Sequence, residues 1–338
     1  MGLHEASHYI QDKGEIHCTL CAHNCRIKQG RVGRCGVRQN IEGTLYTLVY
    51  GELVAEHIDP IEKKPLFHIL PGSLSLSIST MGCNFKCHHC QNHSISQVLG
   101  LPASELQGRK VTPAQIVENA KNNSCQSISY TYVEPTVFYE FAYDCARLAT
   151  EHDLKNVFVS NGYLGEQAGR DISPFLDAIN IDVKSFNDDF YKKVCGARLQ
   201  PVLDNVRLMK ELGVWVEVTT LVIPGLNDSD EELSRLATFL AKVDPKIPWH
   251  VSAFYPTYKM TDRPSTPPST LARAGKIGRD AGLLFVYEGN SPGRGGENTL
   301  CPSCGEAVIE RYGFSIRRNR LVEGSCPVCK TSLPGIWV

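Results

Sequence analysis

The rhythm of the chain changes near residue 74. From there, short apolar runs alternate with stretches whose apolar residues recur every three or four positions. Leu74, Leu76 and Ile78, separated by serines, predict a strand over 75–80. Six more are predicted at Ser127–Tyr130, Val157–Ser160, Ile179–Val183, Val214–Leu221, Trp249–Phe254 and Leu283–Tyr287. Helical spacing fills the intervals: Ile116, Val117 and Ala120; Phe138, Phe141, Ala142, Cys145 and Leu148; Phe175 and Leu176; Val202, Val206 and Met209; Leu233, Leu236 and Leu240; and residues 269–281. Pro113, after Thr112, suits a first helical position. Strand–helix alternation implies a mostly parallel sheet with right-handed crossovers. The pattern covers roughly 215 residues, too few for a complete eight-fold barrel. The expected fold class is therefore α/β, an open, partial (β/α)6-type TIM barrel.

Ahead of the barrel, Leu45, Leu48, Val49 and Leu53 alternate like a strand. Asp59-Pro60-Ile61-Glu62-Lys63-Lys64-Pro65-Leu66 reads as an extended approach, because its prolines discourage helix. Three parts are expected: a cysteine-rich module with lead-in strands over 1–58, the barrel over 59–297, and a second cysteine-rich module over 298–338.

Polar signals recur at one end of the predicted strands. Gly82-Cys83-Asn84-Phe85-Lys86-Cys87-His88-His89-Cys90 follows the first and Tyr132-Val133-Glu134-Pro135-Thr136 the second. Ser160-Asn161-Gly162 ends the third, Asp182-Val183-Lys184 the fourth, Pro224-Gly225-Leu226-Asn227-Asp228 follows the fifth, and Phe254-Tyr255-Pro256 ends the sixth. The C-terminal strand ends carry the active site in parallel β/α folds. Each signal alone has a plain reading: Glu134 as a helix-initiating acid, Asn161-Gly162 as a turn, Asp182 and Lys184 as a solvated pair. Their coincidence at one end argues for a site.

The cysteine loop has C-x3-C-x2-C spacing. Three thiolates can hold three irons of a [4Fe–4S] cluster and leave the fourth open. The rival is a zinc knuckle borrowing His88, His89 or His93. Cys18, Cys21, Cys25 and Cys35, interleaved with glycines, could close on zinc or hold a second cluster. Cys301-x2-Cys304 and Cys326-x2-Cys329 have zinc-ribbon spacing, with metal supplying folding energy that so small a segment lacks. Between them Ile316-Arg317-Arg318-Asn319-Arg320 reads as a solvated hairpin or a basic grip on a partner. Of fourteen cysteines, Cys125, Cys145 and Cys195 are left over. The first two sit on apolar patterns as small buried hydrophobes.

Composition narrows the class. With 42 % hydrophobic and 21 % charged residues and a net charge of −1, the 338-residue chain reads as globular, without a broad electrostatic footprint for nucleic acid. No apolar run of about 18 residues exists to span a membrane. No secretory signal opens the chain, and clustered thiols fit a reducing compartment, so a cytoplasmic location is expected.

These motifs resemble the radical S-adenosylmethionine (SAM) superfamily, close to the activases of glycyl radical enzymes, and more narrowly the AmmeMemoRadiSam-system radical SAM proteins. The likeness extends to Glu62-Lys63-Lys64-Pro65-Leu66 and to Gly289-Asn290 with Gly296-Glu297-Asn298-Thr299. It implies that Cys83, Cys87 and Cys90 ligate the cluster, whose open iron is chelated by SAM, and that one electron cleaves SAM to a 5′-deoxyadenosyl radical that abstracts hydrogen. It implies SAM contacts at Glu134, Asn161, Asp182 and Lys184, a cofactor-facing His250, and His89 as the ring near adenine. The implied partners are a protein substrate, or a small molecule or peptide, and an external one-electron donor of the flavodoxin or ferredoxin type. Cys195 is a candidate second hydrogen donor. Three departures stand out: His89 is titratable, Val133 replaces glycine or a polar residue, and Val159 replaces an acid, which puts a bound monovalent cation in doubt. The reading from another class is a non-catalytic zinc or electron-transfer protein.

Overall fold

The computed structural model describes residues 3–12, 15–291, 293 and 295–337. Its centre is an eight-stranded sheet in sequence order. The strands are β1 (Ala55–Pro60), β2 (Leu74–Ser79), β3 (Ser127–Tyr130), β4 (Lys155–Ser160), β5 (Ala178–Asp182), β6 (Trp215–Val222), β7 (Trp249–Ala253) and β8 (Val286–Gly289). β1 runs antiparallel to β2, and every later pairing is parallel. The crossovers carry α1 (Pro113–Asn122), α2 (Tyr139–Thr150), α3 (Glu166–Ile172), α4 (Leu199–Glu211), α5 (Asp230–Val243) and α6 (Pro268–Asp280). This is the expected open, partial barrel. The last strand begins three residues later than Leu283 because the turn after α6 occupies Ala281–Gly282, where Gly282 has φ +98°.

Local chemistry sets the helix starts. Thr112 Oγ1 accepts from Gln115 N at 3.3 Å while Gln115 Oε1 accepts from Thr112 N at 2.9 Å, closing a capping box ahead of α1. Ser229 caps α5, whose first turn carries Asp230, Glu231 and Glu232 against the positive helix end.

Alternation along the strands divides two environments. Leu76, Ile78, Ile128, Tyr130, Phe158, Ile181, Val216 and Val218 point toward the helices and join the main core. The opposite face is polar, with Ser75, Ser77, Ser127, Ser129, Asn180, Glu217 and His250 all buried. At the N-terminal ends of the strands this interior is plugged by Ile61, Leu66 and Ile69 packed on Val157 and Ala178. The expected extended approach thus turns through a short 3-10 helix at Ile61–Lys63 and becomes the barrel floor. The C-terminal module packs beneath it, with Val308, Ile309 and Leu333 sharing a core with Phe67, Phe285 and Tyr287. The N-terminal module, by contrast, joins the main core through Ile16, Leu20, Ile27, Val37 and Leu45.

Candidate active site

The cysteine loop leaves the C-terminal end of β2 and is held on several sides. Gly82 has φ +104°, and a Cβ there would lie 2.6 Å from Val37, so only glycine lets the loop pass this close to the N-terminal module. Lys86 N donates to Cys195 O at 2.8 Å and His88 N to Val194 O at 3.1 Å. Both acceptors belong to a single π-helical turn, Tyr191–Cys195, after β5. The thiols of Cys83, Cys87 and Cys90 are free; Cys87 is buried, and Cys83 and Cys90 are half-buried.

The thiols differ in electrostatics. A hydrogen bond from Cys195, then the nearby Lys184 charge, pull the Cys87 thiol below its ordinary range against the opposing effect of burial. Burial pushes Cys83 well up, and Cys90 up as well, the latter partly offset by Ser96, whose Oγ lies 3.2 Å from its sulfur. Lys184 donates to Asp182 Oδ2 at 2.8 Å. Although burial opposes its charge, Asp182 and the thiols of Cys87 and Cys195 hold it firmly protonated.

Glu134 is buried where β3 and β4 end. Its Oε1 accepts from Thr136 N, Thr136 Oγ1 and Ser160 Oγ at 3.1, 2.5 and 2.8 Å, and its Oε2 from Asn161 N at 2.7 Å. The carboxylate therefore ties two strand ends together and keeps free acceptor capacity at Oε2. Burial raises its pKa, and these donors act in the opposite direction. The chain reaches Glu134 through Tyr132 at φ +64°, a conformation that favours glycine. Asn92 Nδ2 donates to the Tyr132 carbonyl at 2.7 Å and the Tyr132 hydroxyl to Asp59 Oδ2 at 2.6 Å, fixing the turn.

Two of the candidate residues have close protein partners of their own. His250 is the second residue of β7, its Nε2 is 2.7 Å from Glu217 Oε2, and its ring packs against Phe67 and Tyr287. Glu217 also accepts from Phe67 N and His68 N, so this pair braces the barrel floor. Among the described residues no hydrogen bond, ion pair or ring contact joins His250 to the cysteine loop. Cys195 lies in the π turn, fully buried, its carbonyl accepting from Lys86 N and its thiol interacting with that of Cys87.

His89 is buried near Phe190, with Nδ1 lacking a partner. Burial, then the charge of Lys184, lower its pKa to about 3, which leaves the ring neutral near pH 7. His93, a candidate zinc ligand by proximity in sequence, stacks on Tyr258 with centroids 4.4 Å apart.

The motifs alone do not single out Asn84. Its Oδ1 accepts from Asn161 Nδ2 at 2.7 Å and its carbonyl faces His23 Nε2 at 2.8 Å, which joins the cysteine loop to β4 and to the N-terminal module. Its place inside the loop was the available signal. The polar interior was likewise legible only as serines spaced by two. There Ser77 Oγ, Ser127 Oγ, Asn180 Oδ1 and Thr219 Oγ1 are buried without partners. Buried polar groups are normally satisfied, so unpartnered atoms on the inward face of these strands fit a polar ligand. Three free thiols at its rim, a carboxylate with spare acceptor capacity and an ammonium beside Cys87 fit a [4Fe–4S] cluster with SAM.

At the other end of the molecule the C-terminal cysteines converge. Cys301 and Cys329 sulfurs are 3.5 Å apart, those of Cys304 and Cys326 3.7 Å, and all four lie within 4.8 Å of one another.

Comparison with known proteins places the family. Residues 77–237 match the radical SAM superfamily. An uncharacterized protein of Methanocaldococcus jannaschii is 46 % identical over 331 residues, covering 97 % of this chain and 98 % of that one. A pyruvate formate-lyase-activating enzyme of Clostridium pasteurianum is 23 % identical over 168 residues, 48 % of this chain and 67 % of the relative. The crystal structure of Streptococcus suis SuiB superimposes with a TM-score of 0.50 at 16 % identity, covering 68 % of this chain and 51 % of that one, a likeness of fold.

Proposed function

The chain belongs to the radical SAM superfamily, and from that premise we propose that it is an activase-like enzyme that uses SAM-derived radical chemistry to abstract hydrogen from a residue of a partner protein. Cys83, Cys87 and Cys90 would hold the [4Fe–4S] cluster. When bound, cluster and SAM together supply reductive cleavage of SAM and a carbon radical able to take a hydrogen atom. The observation that carries the reading is the rim itself: three free thiols, Glu134, Asn161 and Lys184 gathered at neighbouring strand ends above a polar interior with unpartnered atoms.

The chain's own groups have separable tasks. Glu134, braced by four hydrogen bonds, offers Oε2 to the SAM ammonium through a charge-assisted contact. Asn161 is held by Asn84 and sets the edge of the same subsite. Lys184, paired with Asp182, favours the Cys87 thiolate and presents positive charge toward the SAM carboxylate. His89 is neutral and supplies a flat ring for adenine. Hydrogen abstraction needs no side-chain base, so the protein's work is to orient the cofactor and exclude water. An external one-electron donor of the flavodoxin or ferredoxin type supplies the electron. The C-terminal cysteine tetrad holds zinc, its sulfurs already spaced for a tetrahedron. A protein target is favoured by the likeness to an activating enzyme.

The test is anaerobic. The reconstituted protein is reduced with dithionite, its EPR spectrum is recorded with and without SAM, and 5′-deoxyadenosine is assayed. A SAM-dependent spectrum with 5′-deoxyadenosine formed is expected. The same reaction with deuterated protein or deuterated small-metabolite fractions of one cell extract then places the label. Deuterium in 5′-deoxyadenosine from the protein fraction is expected; label from metabolites alone would overturn the protein target, and a cluster indifferent to SAM would overturn the whole reading.

A further inference from the structure

The N-terminal cysteines surround a space. Cys18, Cys21, Cys25 and Cys35 line a cavity of about 20 Å³, traced by the centre of a water-sized sphere, together with Arg38 and Asn84. Zinc at about 2.3 Å from each thiolate brings four sulfurs to within about 3.8 Å of one another, and the C-terminal pairs at 3.5 and 3.7 Å are so arranged. Among the described residues the C-terminal four form a group drawn together tightly enough for one ion, and the N-terminal four do not. An iron–sulfur cube carries each thiolate on its own iron, with inorganic sulfide between, and needs this wider set.

The walls supply the second observation. Arg38 and Asn84 are each 2 % exposed, and Arg38 Nε and Asn84 Nδ2 are buried without a hydrogen-bond partner. The remaining groups of both side chains are engaged: the other Arg38 nitrogens by Glu140 and the Ser7 carbonyl, Asn84 Oδ1 by Asn161. A buried N–H left unpaired costs about 1–3 kcal/mol, so two such donors on one cavity call for acceptors inside it. The sulfides and thiolates of an iron–sulfur cube are such acceptors, and the sulfur spacing decides between the cube and zinc.

We propose that Cys18, Cys21, Cys25 and Cys35 hold a second [4Fe–4S] cluster, with Arg38 Nε and Asn84 Nδ2 as hydrogen-bond donors to its sulfur atoms. The site adjoins the first cysteine loop, since Asn84 follows Cys83 in the chain and its carbonyl meets His23 of the same module. It does not depend on what the first loop binds.

Metal and acid-labile sulfide are measured first on the whole protein isolated anaerobically without added iron. About eight irons per chain, four from each cluster, with one zinc, is the expected content; about four irons with two zincs would overturn the proposal. The variant with Cys83→Ala, Cys87→Ala and Cys90→Ala is then expected to keep about four irons and four sulfides, with the charge-transfer absorption and reduced EPR signal of one cluster. Zinc, a single iron without sulfide, or no metal in that variant would also overturn it. In the same background, Arg38→Lys keeps a charge opposite Glu140 but removes Nε, and a lower midpoint potential is expected. An unchanged potential would remove Arg38 as a donor.

Discussion

His68 shows how much one buried side chain can report. Its Nδ1 is 2.7 Å from the Pro334 carbonyl, which can only accept, so Nδ1 carries the proton and Nε2 accepts from the Tyr287 hydroxyl at 2.6 Å. Burial lowers its pKa to about 4 from the ordinary 6.5, against Glu217 and the Pro334 carbonyl, which raise it, while Arg311 and His250 lower it further. Between those two values the unfolded chain binds a proton that the folded one refuses. Stability is therefore full above pH 6.5 and is lost as pH falls toward 4, by on the order of 3 kcal/mol from this residue. Urea midpoints measured from pH 7 to 4.5 should fall more steeply for the native protein than for His68→Gln. Parallel curves would mean that His68 is not held neutral.

At the scale of elements, the junction between the barrel floor and the C-terminal sheet turns on Arg311, in the strand Ala307–Tyr312. Its guanidinium donates to the Phe67 and Glu297 carbonyls and to Thr299 Oγ1, and stacks 4.2 Å from the Phe67 ring. Glu62, fully buried, faces it at 3.7 Å, too far for a hydrogen bond but close for a charge pair. Removing one member of such a pair leaves the other charge stranded. Arg311→Met should cost about 3–5 kcal/mol, and adding Glu62→Gln should restore part of it. Urea unfolding of both single variants and the double variant forms the cycle; strictly additive losses would show that the two charges do not interact. The sequence motif Glu62-Lys63-Lys64-Pro65-Leu66 was visible as an extended segment, but not as a floor. That role depends on contacts nearly 250 positions away in the chain, from Glu62 to Arg311, which no local pattern encodes. The strands and helices were legible because each repeats a short period; the Glu217 partner of His250 was not, because strand membership says nothing about which partner a side chain meets.

The whole molecule is less divisible than its cysteine pattern suggests. Composition and spacing separate an N-terminal module, yet its apolar residues Ala6, Ile16, Leu20, Ile27, Val37 and Leu45 lie in one continuous core with the barrel. Ala22 N donates to Tyr163 O at 3.0 Å and Gly165 N to Leu20 O at 2.8 Å, pinning the module to the end of β4. Glu140 on α2 is buried and depends on Arg38 Nη1 at 2.9 Å and on Ser7, whose N and Oγ both donate at 2.8 Å. These partners hold its carboxyl below the usual range although burial works against them, Arg38 contributing most. A chain trimmed to residues 54–338 would lose every one of these donors and bare the apolar surface that the module covers. Apolar surface returned to water costs about 25 cal/mol per Å², so a few hundred Å² is comparable with the 5–15 kcal/mol margin of a typical domain. The trimmed chain should therefore aggregate or lack a cooperative thermal transition by circular dichroism, even when the cysteines of the barrel loop and the C-terminal tetrad are supplied with metal. A monomeric, cooperatively melting 54–338 chain would show instead that the barrel folds alone and that the first fifty residues are an appended module.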